Sequence, residues 1–232
     1  MRLNRYLALC GVASRRKCDA LIEEGKVTIN GKPAVVGTVV NARVDEVRVA
    51  DKLVVAKNKV FFVMYKPLNV LTTLSDPRER PTIADYLGHI PYRIFPVGRL
   101  DFDSEGLLLM TNDGALAHRV QHPTYKLEKE YKVTLSRELT PAEHKQFEEG
   151  ITLDDGTTAR TQLLRLDEKT YRVILTQGWH RQFRRMFETF EIEVTRLLRT
   201  RICNIPLGPI RPGEIRELEP ALLADLRKTL NF

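Results

Sequence analysis

The chain has 232 residues and a formal charge of +7, with 43% hydrophobic and 29% charged residues. This composition excludes disordered, collagen-like and low-complexity fibrous proteins, and the length fits one or two domains of about 100 to 200 residues each. No stretch reaches the roughly 18 to 20 consecutive apolar residues that a membrane span needs, and the N-terminus lacks the apolar core of a signal peptide. We therefore expect a cytoplasmic protein without a membrane partner.

The cysteines are few and scattered. Cys10, Cys18 and Cys203 form no CxxC motif and no Cys/His cluster that could frame zinc or a network of disulfides. We expect them to be buried, reduced thiols. The sequence predicts no metal site, and nothing in it indicates a pocket for a cofactor.

The positive charge is concentrated at the N-terminus. Residues 1–58 contain 11 basic and 6 acidic side chains, so this quarter of the chain carries five of the seven net charges. An even surplus would serve only solubility, whereas a surplus confined to one small segment is typical of a surface that binds a polyanion. Nucleic acid is the natural candidate.

The first elements in chain order form a helix pair and a hairpin. Apolar residues recur at helical spacing over residues 3–10, and Ser14 is placed to cap a second helix that ends at Gly25. A strand over residues 27–29 then enters Asn30-Gly31, a dipeptide that favours a type I′ turn. Further strand-like pieces lie at residues 35–36, 39–40 and 47–49.

The charges at the start of the second helix are opposite in sign to those that a helix N-terminus favours. Its first turn holds Arg15, Arg16 and Lys17, although the positive end of a helix dipole favours acidic side chains, and each misplaced charge costs about 0.3–1 kcal/mol. A solvated charge run is the plain interpretation, and a functional surface is the alternative.

A resemblance favours the functional alternative. The stretch RLNRYLALCGVASRRKCDALIEEGKVTINGKPA resembles the small two-helix RNA-binding domain shared by a small-subunit ribosomal protein, tyrosyl-tRNA synthetases and several RNA-modifying enzymes. The resemblance implies that six basic side chains contact phosphates of structured RNA, namely Arg2, Arg5, Arg15, Arg16, Lys17 and Lys26. We expect an RNA-binding domain over residues 1–50 and a linker over residues 51–59.

The second domain, residues 60–232, mixes strands and helices without a regular βα repeat. Strands are predicted at residues 60–65, 107–111, 131–135, 161–166, 171–176 and 194–202. Helices are predicted at residues 82–87, 115–121, 141–150, 181–190 and 220–230. Such an order favours an α+β fold with a mostly antiparallel, mixed sheet and a central cleft.

The segment 95–114 contains the strongest candidates for catalytic residues. Its charged loop lies between apolar strands, where a carboxylate could act as a nucleophile or a general base, with an arginine to keep it ionised. From the residues alone, Asp101, Asp103 and Glu105 could equally form a metal cluster or an acidic surface loop.

The sequence GRLDFDSEGLLLMTNDG resembles the signature of the pseudouridine synthases of the RsuA and RluB type. The resemblance implies that Asp101 is the catalytic aspartate. It also implies catalytic roles for Tyr131, in the element Glu-Lys-Glu-Tyr, and for Arg184, in the segment GWHRQFRRM. The three motifs occur in the family's order, and the similarity extends over nearly the whole chain.

Helical periodicity adds an independent expectation for residues 181–190. Phenylalanines and Met186 fall on one face, whereas Arg181, Arg184 and Arg185 fall on the other. A solvated arginine stripe is the plain interpretation of that pattern. The resemblance implies instead that Arg184 pairs with Asp101, which leaves Arg181 and Arg185 for phosphates.

Two further residues, Leu197 and Arg99, have two interpretations each. The resemblance implies that Leu197 lines a uridine pocket, although an apolar strand residue usually belongs to the core. It also implies that Arg99 holds the everted nucleotide or fills its place in the RNA, whereas a salt bridge is the alternative. His180 is expected to be a polar filler.

The resemblance implies an RNA pseudouridine synthase that needs no cofactor, and the motif Q-G-x-x-R-Q-x-R-R-M is typical of the subgroup acting on large-subunit ribosomal RNA. The alternatives are tRNA or small-subunit ribosomal RNA as the substrate, or a catalytically silent RNA-binding assembly factor. A glycoside hydrolase ranks third, since it needs a second carboxylate about 5 to 9.5 Å from the first. We expect a monomer without an obligate protein partner.

Overall fold

The computed structural model describes all 232 residues. The chain divides into an N-terminal unit, Met1–Val60 with Ile90–Ile94, and a C-terminal unit, Phe61–His89 with Phe95–Phe232. The sequence did not predict that residues 90–94 belong to the first unit, and the expected linker over residues 51–59 stays a prediction. The longest helix has 10 residues, too short to cross a bilayer.

The N-terminal unit packs two helices on a small antiparallel sheet. Its elements are α1 (Leu3–Leu9), α2 (Arg15–Glu23), β1 (Val27–Ile29), β2 (Lys32–Pro33), β3 (Val47–Val49) and β4 (Lys52–Leu53), and the strand order is β2-β1-β3-β4. Ser14 caps α2 by accepting a hydrogen bond from the amide of Lys17. Asn30 and Gly31 both have positive φ, as the predicted type I′ turn requires.

One prediction for this unit was wrong. The valines at residues 35–36 and 39–40 form no strand, and a single bridge between Arg2 and Val39 is their only ladder contact. Val35, Val36 and Val39 are exposed, and Val40 alone of the four is buried in the hydrophobic core, so this segment lacks the apolar contacts and the ladder partner that a strand needs.

The C-terminal unit is built on one large mixed sheet, which confirms the predicted α+β fold. Its strands are β5 (Phe61–Lys66), β6 (Phe95–Val97), β7 (Glu105–Thr111), β8 (Lys129–Leu135), β9 (Thr152–Leu153), β10 (Gly156–Thr157), β11 (Gln162–Arg165), β12 (Thr170–Leu175), β13 (Val194–Ile202), β14 (Ile205–Pro206) and β15 (Ile215–Glu217). The main order is β11-β12-β8-β13-β7-β5-β15, with β14 on β13 and β6 on β7, while β9 and β10 form a separate hairpin.

Four helices cover this sheet in two groups. They are α3 (Gly114–Gln121), α4 (Pro141–Glu149), α5 (Gln182–Glu188) and α6 (Pro220–Thr229). Phe147 of α4 and Phe187 of α5 stack within one core that includes β8 and β12, whereas α3 and α6 belong to a second core with β5 and β7. The predicted helix at residues 82–87 is a short 3₁₀ helix, Ile83–Tyr86.

The two halves of the sheet meet where β13 runs parallel to β7, in the only parallel pairing of the sheet. Gly106 lies opposite Arg199 in this pairing. A Cβ at Gly106 would lie 2.4 Å from the carbonyl oxygen of Arg199, and its φ is +103°. Only glycine fits such a close approach of two backbones, which explains its place in the motif.

Candidate active site

A cleft of about 840 Å³ opens within the C-terminal unit beside the junction of β7 and β13. Its walls include residues of both hydrophobic cores. Asp101, Tyr131, Arg184 and Leu197 all line this cleft, although they come from a loop, two strands and a helix. The structure thus brings the three predicted catalytic residues together.

The loop that carries Asp101 is held by its backbone. The hydroxyl of Thr72 donates to the carbonyl of Leu100 at 2.7 Å and accepts from the Leu100 amide at 3.2 Å. The amide of Asn69 donates to the carbonyl of Phe102 at 2.9 Å. These bonds fix the loop on both sides of Asp101, whose half-buried carboxylate has no ion pair within 4 Å and lines the cleft.

Lys66 is a charged group at this site that the sequence analysis missed. It is fully buried, and its Nζ donates to the carbonyls of Ser104 at 2.7 Å and Pro67 at 2.9 Å. Burial lowers the pKa of Lys66 to about 8, although the negative charges of Asp101 and then Asp103 oppose that shift. At neutral pH the lysine is mostly cationic, so it supplies positive potential near both aspartates.

The predicted pairing of Arg184 with Asp101 is wrong, because the partner of Arg184 is Asp103. Arg184 Nε lies 3.0 Å from Asp103 Oδ2, and its Nη2 donates to the Asp103 carbonyl at 2.8 Å. Its Nη1 donates to the carbonyl of Val194 at 2.7 Å. Arg184 therefore ties α5 to the loop that carries Asp101 and Asp103 and to the start of β13.

Arg181 holds the same carboxylate from a different backbone position. Its Nη1 donates to both oxygens of Asp103, at 3.0 and 3.2 Å. The residue has φ +48° and precedes the first turn of α5, so it does not belong to the predicted arginine face of the helix. With two arginines bound, Asp103 is not placed to serve as the second carboxylate of a glycoside hydrolase.

Tyr131 and Leu197 form apolar parts of the cleft wall. Both side chains are buried, and the ring of Tyr131 meets that of Phe183 edge to face at a centroid distance of 4.7 Å. The register of β8 on β13 places Leu197 opposite Val133, two residues along the strand from Tyr131. Rotation of the tyrosine ring is therefore limited by packing.

The other predicted substrate-binding residues of this unit have different positions. Arg99 and His180 are exposed and line the cleft. Arg185 does not line it, because both its terminal nitrogens donate to Asp155 at 2.9 Å. A role for Arg185 in binding substrate is not supported by this position.

The acidic residues of the motif do not gather around a metal. Glu105 accepts from the Tyr65 hydroxyl at 2.9 Å and from Arg196 Nε at 2.6 Å, so both its oxygens are used inside the sheet. No group of three or more potential metal ligands occurs in the structure.

The basic side chains predicted to contact RNA lie on the surface of the N-terminal unit. All six, Arg2, Arg5, Arg15, Arg16, Lys17 and Lys26, are exposed. Lys26 contacts Glu24 at 2.6 Å, whereas the arginines at positions 15 and 16 and Lys17 have no carboxylate within 4 Å. The first turn of α2 therefore presents three uncompensated charges, as an anion-binding surface would.

Comparison with known families gives two matches. The profile of the RNA pseudouridylate synthase family matches residues 60–189, which is more than half of the chain. The profile of the S4 domain matches residues 1–47.

Individual relatives agree with these matches. The chain is 40% identical to the ribosomal large subunit pseudouridine synthase B of Bacillus subtilis, over 97% of this chain and 95% of that protein. It is 37% identical to the dual-specificity RNA pseudouridine synthase RluF of Escherichia coli K12, over 99% of this chain and 79% of that protein. A solved structure of a pseudouridylate synthase superposes with a TM-score of 0.71 at 28% identity and covers 99% of both chains.

Proposed function

The chain belongs to the RNA pseudouridylate synthase family, and we propose that it converts a uridine of large-subunit ribosomal RNA to pseudouridine with Asp101 as the catalytic residue. Family membership makes the protein an RNA-binding isomerase. The observation that carries the catalytic assignment is the convergence of Asp101, Tyr131 and Leu197 on one cleft from three separate segments. The large-subunit substrate is supported by the relative in Bacillus subtilis.

The reaction needs access to a base that is normally stacked. The bond between C1′ and N1 of the uridine must break, the uracil must turn, and a bond from C1′ to C5 must form, while C5 loses its proton and N1 takes one up. An enzyme reaches these atoms by everting the nucleotide, against an unstacking free energy of a few kcal/mol. A cleft of about 840 Å³ has room for a nucleotide, since pockets of about 300–1,000 Å³ enclose small molecules.

Two groups would hold the everted base. The ring of Tyr131 would stack against the uracil, a contact that contributes about 1–3 kcal/mol in other proteins. Leu197 would close the pocket from the neighbouring strand and exclude water from the detached base. Asp101 would then attack the nucleotide or remove a proton from its sugar.

The charges around Asp101 suit this role. A nearby cation attracts a carboxylate, and it leaves both carboxylate oxygens unblocked when the two groups form no direct contact. Lys66 provides that cation without a direct ion pair, so the carboxylate remains free to react. Arg181 and Arg184 engage Asp103 instead and keep the loop in place.

The substrate is tested by mapping pseudouridines after the purified protein acts on unmodified transcripts. The transcripts are large-subunit ribosomal RNA, small-subunit ribosomal RNA and tRNA. We expect one or a few modified positions in large-subunit RNA only. Modification confined to either of the other transcripts would contradict the proposed substrate while leaving the isomerase activity intact.

A further inference from the structure

Arg199 differs from the other arginines of its strand in having no carboxylate partner. On β13, Arg196 contacts Glu105 at 2.6 Å, and Arg201 contacts Glu128 at 3.1 Å. Arg199 is 4% exposed, and its Nε donates to the carbonyl of Leu107 at 2.7 Å. Its buried Nη2 has no hydrogen-bond partner in the protein. A permanent charge is thus buried with only part of its hydrogen-bonding capacity used.

Arg199 is one of the residues that line the reaction cleft, and its Cζ lies 6.0 Å from the ring centre of Tyr131. The register of β13 on β8 fixes this proximity, because Arg199 lies directly opposite Tyr131. An everted base stacked on that ring would place its own sugar and phosphate within the same small space.

Lys129 is a second unpaired cation in the same wall. It also lines the cleft, and its Nζ makes only a long contact of 3.4 Å to the carbonyl of Leu127. Burial lowers the pKa of Lys129, and the positive charge of Arg199 lowers it further. Lys126, exposed and free of carboxylates, borders the same part of the cleft. Arg199 and Lys129 are therefore two like charges close together in one wall, and neither forms an ion pair with a carboxylate of the chain.

Such an arrangement is unfavourable in isolation. A buried charge without a partner is costly, and two cations in one wall raise that cost. An arriving anion removes both penalties at once. The geometry points to a phosphate subsite formed by Arg199 and Lys129, which binds the backbone phosphodiester of the nucleotide that enters the cleft. This inference rests on the proposed function, since it assumes that the ligand of the cleft is RNA.

A phosphodiester fits these two residues better than the base does. Uracil is neutral before its bond to the sugar breaks, so it would leave both cations uncompensated. A phosphate offers several acceptor oxygens, which suit the planar donors of arginine and the ammonium of lysine. The two cations would also determine which nucleotide enters the cleft, because they hold one phosphate at a fixed place beside Tyr131.

The experiment measures binding of oligouridylate to the full-length protein over a range of salt concentrations. Oligouridylate is chosen because its unpaired bases can enter the cleft whichever RNA is the natural substrate. The main variant is Lys129→Gln, and the matched control is Lys132→Gln, on the same strand but exposed and outside the cleft. Arg199→Lys keeps the charge but not the planar donor pair.

We expect Lys129→Gln to weaken binding about tenfold, as expected for one charged hydrogen bond, and to reduce the slope of log affinity against log salt by about 0.7. Arg199→Lys should keep the slope and lose affinity. Lys132→Gln should match the wild type in slope and affinity. In turnover assays, the loss for Lys129→Gln should fall mainly on KM.

Two results would overturn the subsite. One is a slope of log affinity against log salt that is the same for Lys129→Gln as for the wild type. If only kcat falls for this variant, Lys129 acts on the reacting base and not on a phosphate. The other is an equal loss of slope for Lys132→Gln. Failure of the proposed function would look different, because the wild type would then form no pseudouridine in large-subunit ribosomal RNA.

Discussion

A double-mutant cycle tests whether Asp103 or Asp101 is the partner of Arg184. The variants are Asp103→Asn, Arg184→Gln and the combination, followed by the same cycle with Asp101→Asn. Arg184 makes two contacts to Asp103, a 3.0 Å ion pair and a 2.8 Å hydrogen bond to its carbonyl, and only the first depends on the carboxylate. The cycle therefore isolates the ion pair.

The magnitude follows from burial and bond type. Arg184 Nε lies within ion-pair distance of the carboxylate but makes no hydrogen bond to it, and the Asp103 side chain is 37% exposed, so the contact counts as a partly exposed ion pair. We expect a coupling free energy of about 1 kcal/mol between Asp103 and Arg184, the upper end for such pairs. Arg184→Gln alone should cost more, about 2–4 kcal/mol, because the carbonyl of Val194 also loses its donor.

The assay is urea unfolding followed by circular dichroism at neutral pH, with a common slope for all variants. For Asp101 and Arg184 the coupling should stay within about 0.5 kcal/mol, the usual limit for independent sites. A coupling that is larger for Asp101 than for Asp103 would refute the assignment of Asp103 and restore the pairing implied by the family resemblance.

Three other predictions concern charge and backbone fit. The pKa of Lys66 is about 8 in the folded protein against an ordinary 10.5, so between these pH values the unfolded chain binds more protons than the folded one, and stability rises with pH. Relative to Lys66→Met, the wild type should therefore gain up to about 3 kcal/mol of unfolding free energy from pH 8 to 10.5, measured by urea unfolding. Equal pH profiles for the two proteins would contradict this. Gly106→Ala should lower the free energy of unfolding by at least about 2–3 kcal/mol, since the added Cβ would overlap the backbone of β13. A loss below about 1 kcal/mol in thermal unfolding would contradict this close approach. Replacing Arg15, Arg16 and Lys17 together by Gln should raise stability by about 1 kcal/mol, because it removes positive charge from the positive end of the α2 dipole. The same change should weaken RNA binding and make the affinity less dependent on salt. An unchanged slope of log affinity against log salt in filter binding would exclude RNA contact by these three residues.

The elements that the sequence predicted well are those set by local periodicity and turn chemistry. Phe183, Met186 and Phe187 are buried on one face of α5, as helical spacing indicated. Asn30-Gly31 forms the expected turn because both residues accept positive φ. The valines at residues 35–36 and 39–40 form no strand despite their β-propensity, because propensity reflects packing against neighbouring strands, and only Val40 of the four is buried.

The site was predictable as a set of residues but not as a set of contacts. Asp101 and Asp103 are two positions apart, and which of them faces an arginine depends on how Thr72, Asn69 and Lys66 hold the loop. Those contacts join segments about 30 residues or more apart in the chain. No local pattern encodes them.

Lys66 illustrates the same limit. In the sequence it directly follows the apolar strand predicted at residues 60–65, where nothing marks it as part of a site. Lysine is almost never fully buried without partners, and the partners here are carbonyl groups that the sequence does not display. The available signal was the unbroken apolar run before it, which predicts that the strand is buried to its last residue.

Asp101 is the group that we propose reacts with the nucleotide. The decisive measurement is tritium release from C5-tritiated uridine in RNA by Asp101→Asn, with Asp225→Asn, an exposed aspartate on α6, as the matched control. We predict that Asp101→Asn releases no tritium above background while its RNA affinity stays within a few fold of the wild type, and that Asp225→Asn is fully active. Turnover by Asp101→Asn at a rate close to that of the wild type would contradict the account.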